Sequence, residues 1–153
     1  MAELPFDAAT GDIDPRQAAE TVLRTYEHDD RWLDAFAEHL DRRRAGESLG
    51  RVLDAWGLSQ SDAARMFGVS RQAVAKWVAS GVPAERSEAI ADLAAATDLL
   101  VQHLKRDRIA AVVRRPMGTQ GERSLVDLLR AQNTQEVLSC CRAMFDFASA
   151  QGG

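Results

Sequence analysis

The sequence predicts an all-α protein, and three observations carry the prediction. Apolar residues recur at helical spacing in successive segments. Alanine, arginine and aspartate are abundant while aromatic residues make up only 6% of the 153 residues, a composition that suits helices better than strands. Helix punctuation repeats along the chain: Asp-Pro and Ser-x-x-Asp at starts, glycine at stops. With 46% hydrophobic residues the chain can fill one good-sized core or two small ones. No window approaches the roughly 18 consecutive apolar residues of a membrane span. The acidic start MAELPFDAATGD lacks the basic and apolar regions of a signal peptide, so a cytoplasmic protein is expected. Cys140 and Cys141 are adjacent, cannot form an ordinary bridge with each other, and read as reduced, buried thiols.

Three segments follow. Residues 1 to 48 form an acidic arm and two helices, 49 to 82 a core of short helices, and 83 to 153 a long helix followed by short C-terminal ones. The first dozen residues have no apolar period and read as a flexible arm. Asp14, Pro15 and Gln17 then start a helix to about Tyr26, because proline at the first helical position loses no needed hydrogen bond. Val22, Leu23 and Tyr26 are its expected inward residues. Glu27, His28, Asp29 and Asp30 are sequence neighbours that cannot converge on one helix face, so a solvated junction is expected there, with no metal. The next helix runs from Asp30 to about Arg44, with Leu33, Phe36 and Leu40 as a packing stripe flanked by Trp32. Arg42, Arg43 and Arg44 have two readings: cations favoured by the helix C-terminal dipole, or contacts to a DNA backbone. Gly46 and Ser48 mark an expected break before a helix from Leu49 to Trp56, ended by Gly57.

The stretch LSQSDAARMFGVSRQAVAKWV, Leu58 to Val78, reads as a helix-turn-helix. Ser59 caps its first helix and Asp62 can return the bond, Gly68 stops that helix, and Ser70 caps the second. Trp56, Phe67 and Trp77 are the expected large core side chains. Val74 and Trp77 fall on one face, leaving Arg71, Gln72, Ala75 and Lys76 outward. This register resembles the Xre/Cro-type phage repressors, with Leu58, Gln60, Ala64, Gly68, Ser70, Val74 and Trp77 in matching places. The resemblance implies that Arg71 and Gln72 meet base edges, that Lys76 follows one turn on, and that Gln60 anchors a phosphate. Arginine can bridge guanine O6 and N7, and glutamine adenine N6 and N7. The plainer alternative is a set of ordinary solvated side chains on an amphipathic helix pair.

Gly81 ends the second helix and Pro83 opens a long one to about Lys105. Its stripe of Ile90, Leu93, Leu100 and Leu104 is wide enough to suggest a homodimer interface. A short helix then ends before Pro116. Met117 to Gly121 is a loop, Ser124 caps a helix with Leu125, Val126, Leu128 and Leu129, and Asn133 or Thr134 caps a final one with Val137, Leu138, Cys141, Met144, Phe145 and Phe147. This layout resembles the Xre/MbcA/ParS antitoxins from about Leu49 to Ala148. In that family a proline-and-glycine loop precedes a "sPlelL"-like helix and a closing "V..lL..i" helix; Pro116, Gly121, Leu125 to Leu129 and Val137-Leu138 take those places. The match departs at Val112 and Val113, where Trp-Leu is usual, and at Leu125, where proline is usual. The resemblance implies an antitoxin that binds a RES-type, NAD-consuming toxin and represses its own operon. Leu125, Leu129, Phe145 and Phe147 are the expected apolar contacts to that toxin, and Arg114, Arg115, Arg123 and Arg130 their polar rim.

The net charge of −4 is unevenly distributed. Residues 1 to 48 hold 6 basic and 12 acidic side chains, residues 49 to 81 hold 4 and 2, and the rest 9 of each. Double-stranded DNA, specifically the protein's own promoter, would therefore meet a mildly basic middle with modest, salt-sensitive affinity. No phosphate loop, metal-ligand cluster or Ser/His/Asp set suggests an enzyme, and no cofactor is expected. Two classes remain: a DNA-binding antitoxin or stand-alone regulator, and a protein-interaction module with the helix-turn-helix as scaffold.

Overall fold

The computed structural model describes residues 14 to 151, with side chains described as far as residue 146. Among the described residues it contains eight α-helices and no strand. They are α1 (Pro15–Tyr26), α2 (Asp30–Trp56), α3 (Gln60–Phe67), α4 (Arg71–Ser80), α5 (Ser87–His103), α6 (Arg106–Val112), α7 (Leu125–Arg130) and α8 (Thr134–Gln151). The arm expected at the start lies outside the described residues. The chain divides into two compact units, residues 1 to 40 and 41 to 153.

In the first unit Asp14 caps α1 by accepting from the Arg16 backbone N–H at 3.0 Å, and Pro15 occupies the first helical position. Tyr26, Trp32 and Phe36 stack in succession, with ring centroids 3.5 and 5.1 Å apart. The expected inward stripe is only partly realised. Val22 is buried, but Leu23 is 57% exposed, Phe36 40% and Leu40 37%.

In the second unit one continuous core runs from Leu49 to Phe145. The expected break at Gly46 and Ser48 is absent, since α2 continues unbroken to Trp56. Gly46 is there for a different reason: a Cβ at this position would overlap the Trp77 carbonyl oxygen of α4. A Cβ on Gly81, whose φ is +128°, would in turn meet the Arg42 backbone at 3.1 Å. The glycines let the two helices cross in close contact. Consequently Arg42 to Arg44 lie in mid-helix, and the helix-end reading of these three arginines is overturned.

The long helix expected from Pro83 begins as a 3₁₀ turn, Ala84–Arg86, before α5. Along α5 packs α8. Ile90, Leu93, Ala96 and Leu100 are thereby covered within one chain, so the wide stripe needs no second copy. Only Val101, 52% exposed, stays uncovered there among the large apolar residues. Trp56 is fully buried, as expected, and its indole N–H donates to Thr97 Oγ1 at 3.0 Å; the Thr97 hydroxyl donates on to the Leu93 carbonyl at 2.7 Å. That relay satisfies the polar atoms that burial would otherwise penalise.

Candidate nucleic-acid interface and partner surface

The α3–α4 pair is built by local signals. Ser59 Oγ accepts from the Asp62 N–H at 3.0 Å while the Ser59 N–H donates to Asp62 Oδ2 at 2.9 Å, a reciprocal cap. The Ser59 backbone and hydroxyl bonds hold the Asp62 carboxyl below its ordinary range. Gly68 ends α3 in the left-handed conformation at φ +65°, and Ser70 caps α4 through the Ala73 N–H at 3.0 Å. Val74 and Trp77 are buried, with Trp77 edge-on to Phe67 at 5.9 Å.

Arg71, Gln72 and Lys76 are consequently exposed together on the outer side of α4, and Gln60, at the start of α3, is half-buried. None of Arg71, Gln72 and Lys76 is engaged by a carboxylate among the described residues, which leaves their donors available to a ligand. Sequence reasoning missed Arg86. Its guanidinium donates to the Phe67 carbonyl at 3.2 Å and stands over the Trp77 ring at 5.7 Å, clamping the end of α3 and the inner side of α4 together. No short-range pattern could have announced it, because the three residues meet only in the fold.

The residues expected to contact a partner divide sharply. Leu125 and Leu129 are buried on α7, and Phe145 is buried on α8 against the His103 ring at 4.2 Å. These three belong to the buried core of the folded chain. The apolar surface of α8 is covered by α5, and that of α7 by α8 and α3. The Phe147 side chain lies outside the described residues. Arg114 also has an internal role: it donates to the carbonyls of Trp56 at 2.8 Å and Gly57 at 3.1 Å, closing the C-terminus of α2. Arg130 pairs with Asp127 at 3.7 Å, and Arg123 Nε donates to the Gln120 carbonyl at 3.1 Å. Arg115 is exposed.

What remains open near these residues is a groove of about 530 Å³ between the turn at 117–120 and α8. Met117, Cys140, Ala143 and Met144 give it an apolar lining, and Gln120 Nε2 donates to Glu136 Oε1 across one edge at 2.8 Å. Positions 136, 140, 143 and 144 recur at helical spacing, forming a second stripe of α8 beside the buried one of Val137, Cys141 and Phe145. Burial, and then Glu136, raises the Cys140 thiol; burial pushes Cys141 up to about 12. Both thiols are protonated at neutral pH and poor nucleophiles. Among the described residues no group of three His, Cys, Asp or Glu could hold a metal ion, and no helix is long and apolar enough to cross a membrane.

No family model matches the sequence, and no curated protein matches it. The fold is similar to that of a chain in the crystal structure of the M. tuberculosis MbcT-MbcA toxin-antitoxin complex, with a TM-score of 0.52 and 26% identity. The match covers 65% of this chain and 91% of that one.

Proposed function

We propose that this chain is an antitoxin, which silences a partner toxin by direct binding and represses its own operon through α3 and α4. The observation that carries the reading is the shared fold: a chain from a toxin-antitoxin complex is matched over 91% of its length. The local build of α3 and α4 supports the DNA half. Two capped helices joined at a left-handed glycine leave a row of base-reading and phosphate-neutralising side chains outward, as a helix-turn-helix requires.

In this reading Arg71 and Gln72 read base edges, Lys76 and Gln60 hold phosphates, and a homodimer presents two α4 helices to half-sites about one helical turn apart. The apolar side chains exposed on the first unit, Leu23, Phe36 and Leu40, are the surface we assign to self-association. The toxin seats on the groove lined by Met117 and Met144, with Arg123 and Arg115 nearby as its basic edge. The toxin itself is of the RES type that consumes NAD, as the layout of residues 49 to 148 suggests. The protein works in the cytoplasm, with no cofactor and no catalysis of its own.

The test is co-expression with the adjacent reading frame. The parent should co-purify with that product and protect growth, whereas a folded Met144→Glu variant should lose both and keep promoter binding. Arg71→Ala or Gln72→Ala should do the reverse, costing about 1 to 3 kcal/mol in promoter binding while protection survives. A parent that captures no neighbouring product would sink the antitoxin reading.

A further inference from the structure

With α2 continuous through Arg42, Arg43 and Arg44, their remaining reading is contact with a DNA backbone. The three have different surroundings. Arg42 is tied to the exit of α4, with its Nε donating to the Val82 carbonyl at 3.0 Å and its own carbonyl accepting the Val82 N–H at 3.0 Å. Arg43 and Arg44 are exposed, and neither has a carboxylate partner among the described residues, whereas Arg65, Arg106 and Arg130 all do.

Helical register separates these two. Positions 42, 46 and 50 make the contact with α4 and its exit, at Val82, Trp77 with Gly81, and Val78 respectively. Leu49, Leu53 and Trp56 turn to the core on one side of that contact stripe. Arg43 falls on its other side, away from the core. On α4, Val78 makes the matching contact, and Ala75 and Ala79 lie next to it on the flank away from Val74 and Trp77. Where two helices pack side by side over one core, the flanks turned from the core border a single outer surface. Arg43 therefore shares a surface with Arg71, Gln72 and Lys76, separated from them by two alanines too small to intervene. Arg44 projects about 100° further round, on the side where Ser48, Arg51 and Ala55 approach α5.

We infer that Arg43 is a phosphate anchor of the DNA interface, holding the duplex backbone beside the C-terminal half of α4. The close crossing at Gly46 and Gly81 and the Arg42 clasp fix its place relative to α4. An arginine so placed contributes affinity without sequence information. The inference rests on the DNA-binding reading above and adds to it a contact that lies outside the helix-turn-helix itself.

The experiment compares the full-length parent with Arg43→Ala, Arg44→Ala and Gln72→Ala on the chain's own promoter and on a random duplex of equal length. Affinity is measured across a potassium chloride series. Arg43→Ala should weaken both duplexes by the same several-fold factor and make the slope of log K against log salt shallower by about 0.9, the loss of one phosphate contact. Arg44→Ala removes the same charge from the same helix and should leave the slope unchanged; Arg43→Lys should restore most of it. Equal effects of Arg43→Ala and Arg44→Ala would reduce the result to bulk charge and overturn the inference. So would an unchanged slope in Arg43→Ala while Gln72→Ala loses promoter preference, an outcome that leaves the DNA-binding reading intact. If the parent shows no preference for its promoter, both fall together. Thermal melts of each variant at the parent's midpoint exclude misfolding as the cause.

Discussion

Residues 14 to 40 and residues 41 to 151 dispose of their apolar side chains in opposite ways. In the second unit most large apolar side chains are covered, Val101 excepted, and Leu49, Trp56, Leu100, Leu128 and Val137 are wholly enclosed. In the first, Val22 alone is buried, and three large apolar side chains stand in solvent beside a short aromatic stack. The two have similar local helix signals, so capping and periodicity do not account for the difference. What separates them is the number of helices available to close over each stripe. A helix pattern read from sequence states what a face wants to bury, and the neighbours decide whether it does.

Paired truncations would break or sharpen this contrast most directly. Leu128→Ala should lower the stability of the second unit by about 2 to 5 kcal/mol, because a cavity opens where nothing can collapse, while Phe36→Ala should cost below about 1 kcal/mol. Urea unfolding of both variants measures this; comparable losses would mean that the first unit has a core after all. A smaller effect is expected at Gly46. An ordinary helical glycine gains about 1 kcal/mol when replaced by alanine, but here the new methyl must push α2 off the Trp77 carbonyl. Gly46→Ala should therefore destabilise by about 1 to 3 kcal/mol, and a stabilised variant would refute the close crossing. Smallest is the helix cap. Ser59→Ala should cost about 1 kcal/mol in global unfolding, whereas Asp14→Ala, on the sparsely packed α1, should leave the global transition unmoved. The Ser59 cap also predicts the acid limb. The Asp62 carboxyl lies below its ordinary value of 3.8 in the folded chain, so its stabilisation is complete above that pH and disappears as the pH falls through the lower folded value. In Ser59→Ala this part of the acid dependence should be absent.

Much of the architecture was legible because it is written locally. Ser59 with Asp62, Gly68, Ser70 and Ser124 all act over a few residues, and the structure shows each at the start or stop it announced. Gly46 misled because a glycine needed for a neighbour's carbonyl looks identical to one that ends a helix. Arg114 and Arg86 were misjudged or missed because their partners, Trp56 and Phe67, lie 58 and 19 residues away. The burial of Leu125, Leu129 and Phe145 was illegible for a related reason. Whether a short helix has apolar surface to spare depends on which helices are waiting to receive it, α8 and α3 for α7 and α5 for α8, which is a property of the assembled core.

The packing of α8 along α5, and of α7 against α3, has a consequence for how such a protein is removed from a cell. A protease that trims back the C-terminus does not leave a shorter but otherwise intact fold. Once α8 is gone, Ile90, Leu93 and Leu100 are bared and the support of α3 and α4 goes with them, so digestion becomes all-or-none. Loss of α8 and loss of the whole second unit are then one event with one rate.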